Sequence, residues 1–226
     1  MRYYTALTIA GSDSCGGAGI QADIKTMSAL GVYATSAITA ITVQNTKGVY
    51  GIQNVEPEIV KGQIEAVMED IHPDAIKIGM VNDCDTIRAI AETLKKYQES
   101  FQHLVIDPVM VSTSGCRLMQ EDALDVLIKG GHFDGEEKID YLFEGGKQKT
   151  SYRGISVNTR NTHGTGCTLS SAITSYLARE MDMNTAIAMA KTYLSGAILA
   201  GKDIKIGEGH GPVNHFYEPK SLFTKS

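Results

Sequence analysis

NTHGTGCTLSSAITSYLAR, Asn161 to Arg179, is the stretch whose reading decides the fold. Gly164 and Gly166 bracket Thr165 and lead through Cys167 into a run in which Leu169, Ile173 and Leu177 recur every fourth residue, the spacing of one helix face. A glycine-rich turn therefore opens a helix. The first turn of a helix leaves backbone N–H groups unpaired and carries about half a positive charge, and glycine lets an anion approach that backbone closely. The same position favours the thiolate of Cys167, because a helix N-terminus lowers a cysteine pKa below its free value of about 8.5. An anion cradle beside an activatable side chain suits group transfer. Taken alone, a Gly-x-Gly turn more often serves tight packing around a small buried residue, so the decision rests on what the remaining chain brings to the same place.

Working outward from this turn, strand and helix patterns alternate. Tyr4 to Ala10 is a short apolar run ending in GSDSCGGAG, and Ile20, Ile24, Met27 and Leu30 then keep helical spacing as far as Gly31. Ala34 to Val43, rich in Thr, Ile, Ala and Val, reads as a buried strand, and Pro57 stands in the first turn of a helix ended by His72 and Pro73. AIKIGM, Ala75 to Met80, is a strand; Asp85 to Tyr97 is a helix with Ile87, Ile90, Ala91 and Leu94 on one face; HLVIDPVM, His103 to Met110, is a strand interrupted by Pro108. EKIDYLFEGG and TSYRGISVNTR read as an extended pair around a glycine turn. Past Arg179 a second helix runs from a cap near Asn184 to Gly201, and Gly207 to Ser226 is loop with at most a short terminal strand. This alternation predicts an α/β fold with a mostly parallel sheet and ligands at the carboxyl ends of its strands. Those ends carry GSDS, then Gln44 and Asn45, then Gly79 and Met80, then Asp107, so one crevice gathers them.

Composition narrows the partner. With 226 residues, 42% hydrophobic and 21% charged, the chain can bury a sizeable core as one domain. A net charge of -5 without a basic run gives no footprint for nucleic acid, which leaves a small molecule. No apolar stretch approaches the roughly 20 residues that span a bilayer, and the N-terminus lacks a signal peptide's apolar run, so a cytoplasmic protein with no membrane partner is expected. Cys15, Cys84, Cys116 and Cys167 are widely spaced without a C-x-x-C pair and are expected to be reduced thiols. His210 and His215 lack a third ligand at metal spacing and read as surface loop.

The middle breaks the alternation. A helix-like segment, Glu121 to about Leu127, and a strand-like segment, Val126 to Lys129, share residues, although a helix-to-strand connection normally takes about 2 to 6 residues. A segment is therefore expected to be absent between about Ala123 and Lys129, either deleted or not represented in this sequence.

In this order, GSDSCGGAGIQAD, Gln44, IKIGM, IDPVM, IKGGH and NTHGTGCTLSSA resemble the hydroxymethylpyrimidine and phosphomethylpyrimidine kinases of thiamine biosynthesis, over nearly the whole chain. The resemblance implies a ribokinase-like fold, with a mostly parallel central sheet flanked by helices on both faces. It also implies ATP-dependent phosphorylation of 4-amino-5-hydroxymethyl-2-methylpyrimidine and then of its monophosphate, and a homodimer. On this pattern Gly164, Thr165 and Gly166 form the anion hole with Cys167 as catalytic base. Gln44 holds the pyrimidine with Gly11, Asp23 and Met80 nearby, Asp107 supports magnesium and phosphates through water, and Lys129 lies on the nucleotide side. Phosphoryl transfer needs mainly positioning and charge neutralisation, which helix-start amides supply, and one glutamine amide both donates to and accepts from an aminopyrimidine. The family also carries an extra strand and helix, with a Thr-Pro-Asn-x-x-Glu segment, where this chain has the overlap. The competing readings are a pyridoxal kinase, whose substrate also presents a hydroxymethyl group on a nitrogen ring, and a paralogue that binds the pyrimidine without turnover. A dinucleotide oxidoreductase fits less well, since GGAG lacks the G-x-G-x-x-G spacing and no acidic residue ends the second strand.

Overall fold

A computed structural model describes residues 1–107, 125–129 and 137–226. Within them the chain runs β1 (Arg2–Tyr3), β2 (Thr5–Ser12), α1 (Gly19–Ala29), β3 (Tyr33–Asn45), β4 (Gly48–Asn54), α2 (Pro57–Asp70), β5 (Ala75–Ile78), α3 (Cys84–Lys96), β6 (His103–Ile106), β7 (Val126–Ile128), β8 (Glu137–Glu144), β9 (Lys147–Ile155), α4 (Thr165–Ala178), α5 (Met183–Gly201) and β10 (Thr224–Lys225). The central sheet has the order β4-β3-β2-β5-β6. Its inner pairs β2–β3, β2–β5 and β5–β6 are parallel, and β4 returns antiparallel on β3 at the edge.

Alternation within β2 and β5 explains why helices cover both faces. Leu7, Ile9, Ile76 and Ile78 point to one side, where Val60, Ile64 and Met68 of α2 and Ile90 and Leu94 of α3 meet them. Ala6 and Ala75 point to the other, against Met27 of α1 and Ala178 of α4. A third cluster joins α4 and α5 to the separate sheet β7-β8-β9 through Leu142, Tyr152, Leu169 and Ile187. The mostly parallel α/β architecture expected from the alternation is therefore the observed one. Among the described residues no helix is long and apolar enough to cross a membrane.

Four expectations change. β4 is not legible beforehand because Gly48 and Gly51 interrupt its apolar alternation, yet it forms a hairpin with β3 and extends that strand to Asn45. The cap of α5 is Asp182, whose carboxylate accepts the Thr185 amide at 3.1 Å; Asn184 instead accepts the Tyr152 hydroxyl at 2.9 Å. Cys15 and Cys167 are free thiols, whereas Cys84 is disulfide-bonded, since spacing along the chain does not say which loops meet. His215 is buried, not a surface-loop residue. The expected continuation of β6 to Met110 and most of the helix-like segment from Glu121 lie outside the described residues.

Candidate active site

The turn before α4 is glycine for a steric reason. Gly164, the N-cap, has φ 82°, and a Cβ there would collide with the Gly17 carbonyl oxygen. Gly17 belongs to the loop between β2 and α1, so two helix-opening loops interlock. The Thr165 amide bonds to the Thr162 carbonyl at 3.3 Å, so the first-turn amides left for an anion at this turn are those of Gly166 and Cys167. Above Gly166, Lys129 Nζ and Asp107 Oδ2 would stand 3.3 and 3.4 Å from an added Cβ, so a cation and a carboxylate converge on this turn. Ser170, one turn into α4, donates to Asp107 at 3.1 Å.

Cys167 differs from the sequence expectation. Burial is the largest influence and pushes its thiol above the ordinary range; Lys77 and the Gly19 amide favour the thiolate, while Asp23 and Asp107 oppose it. The α4 terminus alone does not make a resting thiolate, because desolvation and two carboxylates outweigh it.

The pyrimidine-side candidates divide. Gly11 and Met80 adjoin, since a Cβ on Gly11 would lie 2.5 Å from the Met80 methyl. Gln44 stands at the end of β3, its Nε2 3.4 Å from His163 Nε2, its Oε1 accepting from Thr42 at 3.3 Å, and its backbone clasped by the Ser14 hydroxyl at 2.7 and 2.9 Å. Asp23 is elsewhere. It is fully buried, and its carboxylate accepts Thr8 Oγ1 at 2.6 Å, Ser171 Oγ at 2.6 Å and Lys77 Nζ at 2.8 and 2.9 Å. All four lone-pair directions are taken by protein donors, so direct contact between Asp23 and a substrate has no support in this geometry.

Three features of the site escape sequence reasoning. Asp13 accepts the amides of Cys15, Gly17 and Ala18 at 2.8 to 3.1 Å and His163 Nε2 at 2.8 Å. Burial alone would raise its carboxyl, but these bonds outweigh it and hold the group below the usual carboxylate range. Asp13 thus ties the first loop to the α4 turn. The tail is a strap: Gly209 and His210 donate to Thr46 at the β3–β4 turn, His163 donates to Gly211, and His215 contacts Thr168 Oγ1 at 2.9 Å. Lys77 is the third. The signal that could have found it is a lysine between Ile76 and Ile78 in a strand buried on both faces. Among the described residues, Asp13, Cys15 and His163 are close enough to share an ion. Asp13 is already saturated by backbone donors, so the cluster reads as a loop clasp.

Comparison with known proteins follows this geometry. A family described as phosphomethylpyrimidine kinase matches residues 13–126 and 123–214. A hydroxymethylpyrimidine/phosphomethylpyrimidine kinase of Rhizobium meliloti (strain 1021) is 42% identical over an alignment 261 positions long, covering 94% of this chain and 97% of its own. The crystal structure of a phosphomethylpyrimidine kinase from Clostridium difficile 630 is 41% identical with a TM-score of 0.69, covering 86% of this chain and 99% of that one. An ADP complex of Bacillus subtilis pyridoxal kinase superposes with a TM-score of 0.81 at 29% identity, over 94% of this chain and 97% of that one.

Proposed function

Because the chain belongs to the phosphomethylpyrimidine kinase family, we propose that it transfers the terminal phosphoryl group of ATP to the hydroxymethyl oxygen of 4-amino-5-hydroxymethyl-2-methylpyrimidine, and then phosphorylates the monophosphate, in thiamine biosynthesis. The observation that carries this reading is the meeting of Lys129, Asp107 and the Cys167 turn at Gly166, with Gln44 Nε2 3.4 Å from His163, the residue before Gly164. The amides of Gly166 and Cys167 face the charge that develops on the moving phosphoryl oxygens, where preorganised donors in a partly dry site act most strongly. Cys167 takes the proton of the attacking hydroxyl. The base is the minor thiolate form, its own proton having gone to solvent; burial makes that form scarce but more basic, and in a loose transition state the hydroxyl proton leaves late. Gln44 donates to and accepts from the aminopyrimidine, and Gly11 leaves the ring room beside Met80.

Magnesium fits the donors present: Asp107 accepts Ser170 through Oδ2, which among the described residues leaves Oδ1 to face a metal-bound water, and the ion neutralises nucleotide oxygens when bound. The pyridoxal-kinase reading rests on shape alone, since the more identical relatives carry the pyrimidine name. Parallel assays with the pyrimidine and with pyridoxal test the proposal: ATP-dependent formation of the pyrimidine diphosphate supports it, and turnover of pyridoxal alone overturns it.

The absent segment near residues 123–129 belongs to this proposal. The two family matches overlap at 123–126, and the alignment with the Rhizobium meliloti relative, 261 positions long, exceeds a chain of 226; together they support residues missing from this chain relative to the family, with the overlap as their place. An intact mass of the native protein decides whether the loss is real. A homodimer is also proposed. Ile41 and Val43 of β3 and Val49, Tyr50 and Ile52 of β4 are all at least half exposed on the edge hairpin, a run of apolar surface that a second copy would cover. Light scattering on Val43→Asp, expected to fall to monomer mass, tests it. A cytoplasmic site, where ATP is available, completes the reading and is tested by fractionation.

A further inference from the structure

The Lys77–Asp23 pair lies beneath the reacting thiol and touches nothing outside the protein. Both side chains have no solvent exposure, and the pair is closed at 2.8 Å. Such a pair is not retained for stability alone: removing two charges from water costs more than their attraction commonly returns, and apolar replacements are often neutral or stabilising. Its connections show what it does. Asp23, on α1, joins Thr8 of β2, Lys77 of β5 and Ser171 of α4. Ser171 follows Cys167 by four residues, so both project from the same face of α4. Gly79 leaves the room that the lysine needs, since a Cβ there would stand 2.6 Å from Lys77 Nζ.

We propose that Lys77 and Asp23 are positioning residues for phosphoryl transfer, fixing the first turns of α4 through Ser171 and presenting the ammonium end of the pair to the Cys167 thiol. Among the described residues the charged groups that act most on this thiol are Lys77 from β5, Asp23 from α1 and Asp107 at the end of β6, with the Gly19 amide that opens α1, and Lys129 stands one residue away at Gly166. Lys77 is the largest influence favouring the thiolate. Burial is the largest influence on Lys77 and would discharge it, but Asp23, with Cys167 and Asp107 adding to it, keeps it protonated, so the pair delivers a fixed positive end inside a neutral unit. Asp23 thereby acts through the thiol, not on the substrate.

The inference rests on Cys167 as the base of the proposed kinase, and its test separates the two. The rate of iodoacetamide labelling at Cys167, resolved by peptide mass spectrometry, is measured on the nucleotide-free protein and so does not depend on turnover. Lys77→Met is expected to slow labelling at pH 8 about tenfold, one pKa unit, and Asp23→Asn, which removes the partner that keeps Lys77 charged, to slow it as well. A rate that rises or stays unchanged in either variant overturns the proposal. Ser171→Ala removes a single hydroxyl and keeps the charges; it is expected to lower kcat about three- to tenfold with the pyrimidine KM unchanged, as a misplaced base does. An unchanged kcat, or a loss confined to KM, also overturns it. If the wild type shows no kinase activity while labelling still slows in both variants, the kinase reading fails and the coupling of the buried pair to the thiol stands.

Discussion

The two walls of the crevice are built differently. On the pyrimidine and thiol side, β2, β5, α1 and α4 are locked by Asp23, Lys77, Thr8 and Ser171, all buried. On the nucleotide side, Lys129 follows the three-residue strand β7, whose Val126 and Ile128 are 45% and 49% exposed. The β7-β8-β9 sheet meets α5 through the apolar cluster around Leu142, Tyr152 and Ile187 and through Lys191, which reaches Asp140 at 2.6 Å. The proposed base thus stands on a helix tied down by buried hydrogen bonds, while the proposed nucleotide lysine stands at the end of an exposed strand. Precision is needed where the proton and phosphoryl group move; affinity for a nucleotide tolerates slack.

Mutations and pH can break or sharpen this contrast. The largest effect is expected for Cys167→Ala, a loss of about 10²- to 10³-fold in kcat with pyrimidine binding retained in calorimetry; wild-type turnover would remove the thiol from the mechanism. Next is acid sensitivity of the rigid wall. Burial, with Lys25 second, lowers the His215 pKa to about 4. An unfolded histidine titrates near 6.5, so between pH 6.5 and 4 the unfolded chain gains a proton that the folded chain refuses. The stabilising contribution is complete above about pH 6.5 and falls by about 3 kcal/mol as pH drops to 4. His215→Gln should flatten the melting temperature across that window, and an identical slope would refute the assignment. Gln44→Ala should raise the pyrimidine KM about tenfold with kcat little changed, the size of one hydrogen-bonded contact. Smallest is Lys129→Ala on the exposed wall, where a solvent-screened cation is expected to raise the KM for ATP only about three- to fivefold. A drop in kcat of the Cys167→Ala size at Lys129 would show that the two walls share the chemistry equally.

The candidate site was partly legible before any coordinates. Asp107 and Lys129 come together at Gly166, Gly11 adjoins Met80, and Gln44 reaches His163 beside the α4 turn, because each ends a strand or opens a helix and the carboxyl ends of parallel strands fall together. Asp23, read from the sequence as a neighbour of the pyrimidine, has protein partners in the structure for a related reason. Its place on the first helix is near the site, but nothing local says that Lys77 will turn inward and claim it.

The sequence by itself determined the alternation of strands and helices apart from β4, the demand for glycine before α4 and the place of a thiol in a helix-opening turn. These depend on periodicity and backbone sterics among neighbours only a few residues apart. Only the tertiary structure decided that Asp23 belongs to Lys77 and Ser171, 54 and 148 positions away, and that the tail straps Thr46. It also decided that Cys167 rests as a thiol and that Asp182 caps α5. Charge states and side-chain partners follow from distance and burial in space, and the linear order of a chain does not contain them.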